Sequence, residues 1–468
     1  VIVSTNPATG SKLARYAPHS EKEMEAVLAG AVAAQADWRQ RTVTERAPLL
    51  ERLADVLRQN KDAYARLITA EMGKPIGQAE AEIEKCAVTC EYYAEHAAAH
   101  LADRPVDSDA AESAVVYDPL GVVLAVMPWN YPFWQFIRCA APALAAGNAV
   151  VLKHANNVPR CALAVEQAIR EAGAPEGLCR TLLVEVDRVA GIVADPRIAA
   201  VSLTGSTGVG AIVASQAAAA LKKQVLELGG SDPFVVLADA DVAQAAATAV
   251  TSRFVNAGQS CVNAKRFIVE QAVAKEFAAA FTRGAEALIV GDPTDHATNI
   301  GPMARADLRE TLHNQVERSI AAGAELKLGG RPVDGPGWFY PPTVLDHVTP
   351  GMPAFDEETF GPVAAITRVA TAEEAIALAN RTEYGLAATL WTGELSRART
   401  LIRRLDAGAV FVNGMVASDA RLPFGGIKKS GYGRELGAEG IREFVNVKTV
   451  WIGPTTDNRP ASKGATPR

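Results

Sequence analysis

Sulfur and aromatic residues are scarce in this 468-residue chain, which has six cysteines, six methionines and only 6% Phe, Trp and Tyr. The cysteines, at positions 86, 90, 139, 161, 179 and 261, are too few for a disulfide framework. A reducing, cytoplasmic setting is therefore expected. Cys86 and Cys90 stand four apart on a predicted helix, but no nearby His or Cys completes a ligand set, so no metal site is expected. Charge of either sign is also short of a surplus. With 47 Lys and Arg against 53 Asp and Glu, the net charge is −6, which leaves no electrostatic footprint for nucleic acid. No apolar run approaches the roughly 18 residues of a membrane span. The start, Val1-Ile-Val-Ser-Thr-Asn-Pro7, lacks a basic region followed by a long apolar stretch, so no secretory signal is expected. What remains, 49% hydrophobic and 21% charged residues, is the balance of a soluble globular protein, and the length suggests two or three domains.

The first hundred residues read as helical. Met24, Val27, Leu28 and Val32 recur near helical spacing between Glu21 and Trp38. Thr44 is placed to cap a second helix bearing Leu49, Leu50, Leu53, Val56 and Leu57, and Met72-Gly-Lys-Pro75 breaks the pattern before a helix from Gln78 to about Leu101. Then the period changes. Residues 113–117 and 122–126 are strand runs joined by the turn Asp118-Pro-Leu-Gly121. From Asn148 strands alternate with helices, with strands predicted at 149–153, 181–184, 199–204 and 224–228 and helices at 158–172 and from 187 and 207. A second alternating series starts at Pro233-Phe-Val-Val-Leu237 and includes a helix over 241–256 and strands at 267–269 and 409–412. Alternation of this kind predicts two consecutive doubly wound parallel-sheet α/β domains, joined near Gly229-Gly230. The polar tail after Thr455 is expected to fray.

Four places carry chemistry. Asn256-Ala-Gly-Gln-Ser-Cys261-Val-Asn-Ala-Lys265 sets one cysteine between a helix and a strand, where a thiol can meet a substrate. Glu227, thirty-four residues upstream, ends a strand before Leu228-Gly-Gly230, so a nucleophile and a base are both available for making and hydrolysing a thioester. Leu203-Thr-Gly-Ser-Thr-Gly-Val-Gly210 follows a strand and opens a helix, as a pyrophosphate site requires, although its G-x-x-G-x-G order fits a plain tight turn as well. Lys153 ends another strand, where open α/β sheets bind ligands.

In this order the motifs resemble the aldehyde dehydrogenase superfamily over about residues 4 to 453. They are Pro128-Trp-Asn130-Tyr-Pro132, Lys153, Thr204-Gly-Ser-Thr-x-x-Gly210, Glu227-Leu-Gly-Gly230, Gly258-Gln-x-Cys261, Glu358-x-Phe-Gly-Pro362 and Pro423-Phe-Gly-Gly-x-Lys428-x-Ser-Gly. The resemblance implies Cys261 as nucleophile, Glu227 as general base, and the Asn130 amide with the Cys261 backbone N–H as oxyanion hole. It implies cofactor contacts at Trp129, Lys153, His154, Ala155, Asn156, Gly205, Ser206, Gly210, Leu228, Glu358 and Phe360. It divides the chain into a Rossmann-like cofactor domain (1–103 and 120–229), a catalytic domain (230–429) and a small β oligomerisation arm with the tail (104–119 and 430–468), with a homodimer or homotetramer as the assembly.

Within the superfamily the chain is most similar to bacterial succinate-semialdehyde dehydrogenases, through Leu152-Lys-His-Ala155 and Asn413-Gly with Ala417-Ser-Asp-Ala420. That similarity implies Arg138 and Ser418 as contacts to a substrate carboxylate, with an internal Asp or Glu as the other partner Arg138 could have. A second arginine common in relatives is replaced by Val255, which leaves room for broader aliphatic or aromatic aldehydes unless Arg421 compensates. Asn156 stands where NAD-preferring relatives carry glutamate, so NADP is expected to be preferred, with NAD as the other cofactor.

Overall fold

The computed structural model describes residues 1–453, so the polar tail after Thr455 lies outside the described residues. The N-terminal helices form where capping and burial agree. Ser20 and Glu23 make a reciprocal capping box before the helix Glu21–Trp38. The next helix, Val43–Gln59, is capped by Thr42 and not by the expected Thr44, because Thr42 has Glu45 three residues on and the pair closes the same box. The helix Lys61–Met72 ends at Gly73, whose φ of 79° is left-handed, and Ile76–His100 follows at once.

The alternating region forms two mixed sheets. In the first, the spatial order is Gly431–Tyr432, Lys223–Glu227, Ile198–Thr204, Val122–Met127, Ala149–His154 and Cys179–Thr181. All neighbours are parallel except the first pair. Val122–Met127 sits at the centre; the chain winds outward on one side through Ala149–His154, then returns to the other through Ile198–Thr204. The reversal puts a topological switch point between Val122–Met127 and Ile198–Thr204, and such a crevice at the carboxyl ends of strands is where ligands bind. Pro128-Trp-Asn130 and Gly205-Ser206 follow those ends.

The second sheet runs Glu325–Leu328, Thr343–Asp346, Val363–Val369, Ala264–Glu270, Asp232–Val236, Ala387–Trp391 and Ala409–Val412, again parallel except at its first pair. Every residue of Ala264–Glu270 and Asp232–Val236 is buried, as strands covered on both faces require. Residues 113–117 and 122–126, read as strands joined by one turn, belong to different sheets. Glu112–Pro119 pairs antiparallel with Val445–Ile452 and with Arg104–Pro105 in a separate three-stranded arm. No helix among the described residues is long and apolar enough to cross a membrane.

Candidate active site

The helix Val242–Phe254 stops and the chain turns back through Asn256, Ala257 and Gly258, three successive residues with φ of 56°, 52° and 72°. A left-handed non-glycine residue costs about 1–3 kcal/mol and persists only where its surroundings over-determine it. Here they do. Buried Arg253 donates from Nη1 to Ala264 O at 3.0 Å and from Nη2 to Gly258 O and Thr359 O, each at 3.1 Å. Asn256 Nδ2 donates to Asn130 O at 2.9 Å, tying this loop to the one that leaves the first sheet. A Cβ on Gly258 would collide with the Gly361 carbonyl, so the tight approach needs glycine. The turn delivers Cys261 just before the strand Ala264–Glu270, and buried Lys265 donates from Nζ to Cys261 O at 2.9 Å.

Cys86, Cys90, Cys139, Cys161 and Cys179 are buried, and Cys261 is half-buried, with part of its surface open to the cavities. Its thiol stands where two cavities meet. One, of about 810 Å³, opens over the switch point; the other, of about 150 Å³, lies on the far side. Cys261 and Gln135 line both.

The larger cavity gathers most of the expected cofactor contacts. Trp129 and Phe360 form one side, their rings edge-on at 5.8 Å, and Leu228, Gly205 and Ser206 form another. Ser206 caps the helix Thr207–Ala219, so that helix's N-terminus faces the cavity. Lys153, Ala155 and Asn156 line it too, and Lys153 Nζ donates to Asn156 Oδ1 at 2.9 Å. Glu358 lines it while its Oε1 accepts from Gly230 N–H at 3.0 Å. Two expected contacts sit elsewhere. His154 is turned inward, with Nε2 on Pro132 O and Nδ1 accepting from Ala155 N–H, and burial lowers its pKa to about 4. Gly210 is off the wall. A Cβ there would strike the Leu228 side chain, so its part is to let the helix pack closely.

Asn130 is buried and lines the larger cavity, with Nδ2 donating to Gln259 O at 3.0 Å. The matching region of the chain is almost its whole length: residues 1–450 match the aldehyde dehydrogenase family. The chain belongs to that family. A probable succinate-semialdehyde dehydrogenase (NADP(+)) of Synechocystis is 52% identical over 451 residues, covering 96% of this chain and 99% of its own length. The Escherichia coli K12 succinate semialdehyde dehydrogenase (NAD(P)+) Sad is 49% identical over 449 residues, with 96% and 97% coverage. Among solved structures, the Streptococcus pyogenes succinic semialdehyde dehydrogenase in complex with NADP+ superimposes with a TM-score of 0.94 at 37% identity, covering 97% of this chain and all of that one.

In this aldehyde dehydrogenase Glu227 lies on neither cavity wall. It is buried, both carboxylate oxygens lack hydrogen-bond partners, and burial, then Glu435, pushes its pKa well above the carboxylate range. Burial likewise pushes the Cys261 thiol up to about 11, against the pull of Arg138 and Lys265. The sign follows directly: a raised thiol pKa means less thiolate at neutral pH. Alkylation of Cys261 in the cofactor-free enzyme should therefore accelerate about tenfold per pH unit up to about 11. Iodoacetamide labelling followed by peptide mass spectrometry measures it, and a rate already flat at neutral pH would contradict the burial argument.

The smaller cavity is lined by Arg138, Val255 and Ser418, joined by Lys85, Trp134 and Phe424. Arg138, expected as a contact to a substrate carboxylate, is ion-paired internally with Glu435, and both are buried. The pairing is physically required, because a guanidinium on the fully buried helix Trp134–Ala145 needs a carboxylate. Arg421 is 77% exposed, pairs with Asp419 at 2.6 Å and does not reach the cavity. Nothing in the sequence marks Lys85, Gln135 or Arg253, which lie outside the motifs, Lys85 and Arg253 in runs that read as helix. Lys265, although inside the Cys261 stretch, has no role there that its residue type alone reveals.

Proposed function

We propose that this enzyme oxidises succinate semialdehyde to succinate, with NADP preferred over NAD, and that it works as a homodimer or homotetramer. The observation that carries the reading is the position of Cys261 between two cavities, one shaped and furnished for a dinucleotide and one small and lined by cations. The donor set of the larger cavity suits a nicotinamide dinucleotide. It offers the capped helix N-terminus at Ser206, Lys153 at a strand end, and the Thr204 hydroxyl, buried without a partner. Bound there, the dinucleotide supplies the hydride acceptor.

The chain's own residues do the rest. The Cys261 thiolate attacks the aldehyde carbon, forming the C–S bond of a thiohemiacetal. The Asn130 amide and the Cys261 backbone N–H stabilise the oxyanion, and losing one such donor typically costs about 3–4 kcal/mol of barrier. Loss of hydride leaves a thioester on Cys261. Glu227 lines neither cavity at rest and has to turn toward Cys261 to act. As carboxylate it then takes a proton from a water that attacks the acyl carbon, the C–S bond breaks and the acid departs. The exposed Trp451 and Ile452 at the edge of the three-stranded arm supply an apolar surface on which a second copy can pair.

Cofactor choice has its own test. Asn156 is neutral, accepts from Lys153 and donates from Nδ2 to Glu185 Oε2 at 3.0 Å. Asn156→Glu places a carboxylate against the position of a 2′-phosphate, and the NADP-to-NAD ratio of kcat/KM should fall by roughly tenfold or more. A wild-type enzyme that strongly favours NAD overturns the cofactor reading. The substrate reading is tested with succinate semialdehyde, glutarate semialdehyde, butanal and benzaldehyde. Succinate semialdehyde should give the highest kcat/KM. A preference for butanal would instead support a broader aldehyde dehydrogenase, the reading that the apolar wall at Val255 favours.

A further inference from the structure

The smaller cavity contains two cations, and only one of them has a carboxylate. Arg138 is held by Glu435. Lys85 comes from the helix Ile76–His100, half-buried, with its ammonium 4.4 Å from the centre of the Trp134 ring. Two carboxylates act on it from nearby, Glu82 and Asp419, but each is bound by another cation. Lys74 takes Glu82 and Arg421 takes Asp419. Glu82 is further occupied by the backbone N–H groups of Phe133 and Trp134, at 2.9 and 3.0 Å.

The hydrogen bond of Lys85 goes to Ser418 Oγ, at 2.6 Å. Since the hydroxyl oxygen accepts there, the Ser418 hydrogen points elsewhere, and it has no acceptor among the described residues. An ammonium and a hydroxyl hydrogen, side by side on one cavity wall, match the two oxygens of a carboxylate. The ring of Trp134 holds the ammonium in place without neutralising it. Burial, then Arg138, lowers the lysine's pKa to about 8, so an anion brought into the cavity relieves an unfavourable charge.

We propose that Lys85 is a receptor for the distal carboxylate of the substrate, acting with the Ser418 hydroxyl on the wall of the smaller cavity. The assignment rests on the semialdehyde reading above and names a residue that makes it selective. Arg138 pairs with Glu435 through Nε and keeps a buried Nη2 without a hydrogen-bond partner on the same cavity, so Lys85 acts beside a guanidinium already partly neutralised inside the protein. Val255 and Phe424 offer apolar surface to the methylenes between aldehyde and carboxylate.

The experiment compares kcat/KM for succinate semialdehyde and butanal in the wild-type oligomer, Lys85→Met, Lys85→Gln and Lys85→Arg, together with inhibition by succinate. Methionine keeps the apolar stem against Trp134 and removes the charge. Selectivity for succinate semialdehyde over butanal should fall about ten- to a hundredfold in Lys85→Met and Lys85→Gln, through KM more than kcat. Succinate should inhibit these variants more weakly by a similar factor, and Lys85→Arg should recover part of both. If either neutral variant loses both aldehydes in equal proportion, or keeps the wild-type selectivity, Lys85 is not a receptor. A wild-type enzyme without preference for succinate semialdehyde overturns the substrate reading itself. A preference that survives loss of the lysine overturns this assignment alone.

Discussion

Cys261→Ala should eliminate aldehyde oxidation, lowering kcat by about four orders of magnitude or more, because no other group can form the C–S bond on which both half-reactions depend. The fold should be retained. The side chain is only partly buried at the meeting of two cavities, and the loop is held by backbone contacts from Arg253, Asn256 and Lys265 that do not involve the thiol. Absorbance of the reduced dinucleotide reports turnover, while a thermal shift on adding NADP reports binding separately. Cys86 is the informative control. It is fully buried on the helix Ile76–His100 and lines neither cavity, so an aldehyde adduct there, or substantial turnover in the alanine variant, would show that the nucleophile is misassigned.

Glu227→Gln should separate the two halves of the reaction. Hydride leaves before water is activated, so the variant should release a burst of reduced dinucleotide close to one per site and then slow about 10²- to 10⁴-fold. The geometry makes the substitution mild for the fold: both carboxylate oxygens are buried without partners, and an amide has the same shape. The pH dependence carries its own sign. Burial and Glu435 raise the pKa of Glu227, so the basic carboxylate becomes populated only as pH rises. Deacylation by the wild type should therefore speed up with pH, and that slope should be missing from the residual rate of Glu227→Gln. Rapid-mixing measurements across pH test both points. Disappearance of the burst along with the steady state would place Glu227 before hydride transfer and give it another role.

The helices of the first hundred residues were legible because caps and apolar spacing are local. Glu21–Trp38 falls where spacing places it, and the next helix starts two residues before the position that Thr44 would cap, because Thr42 has a glutamate three residues on and Thr44 does not. The strand runs were also legible, yet their sheet membership was not. Residues 113–117 and 122–126 look like one hairpin, but the first belongs to the arm with Val445–Ile452 and the second is the centre of a parallel sheet. Pairing partners more than three hundred residues apart leave no mark on local periodicity.

By itself the sequence determined the class of fold and the family, and it singled out the loop that carries Cys261, because each depends on short motifs whose residue types are dictated by local chemistry. A thiol beside Gly258, glycines after a strand and an asparagine after Pro128-Trp are such cases. Tertiary structure alone decided who satisfies whom. It turned His154 inward, gave Gly210 to helix packing and buried Glu227 off both cavity walls. It also bound Arg138 to Glu435, 297 residues away in sequence by subtraction of their numbers, and so left Lys85 with Ser418 in the smaller cavity. The reason is electrostatic. A buried charge must find a partner wherever the fold brings one, and that search runs through space and not along the chain.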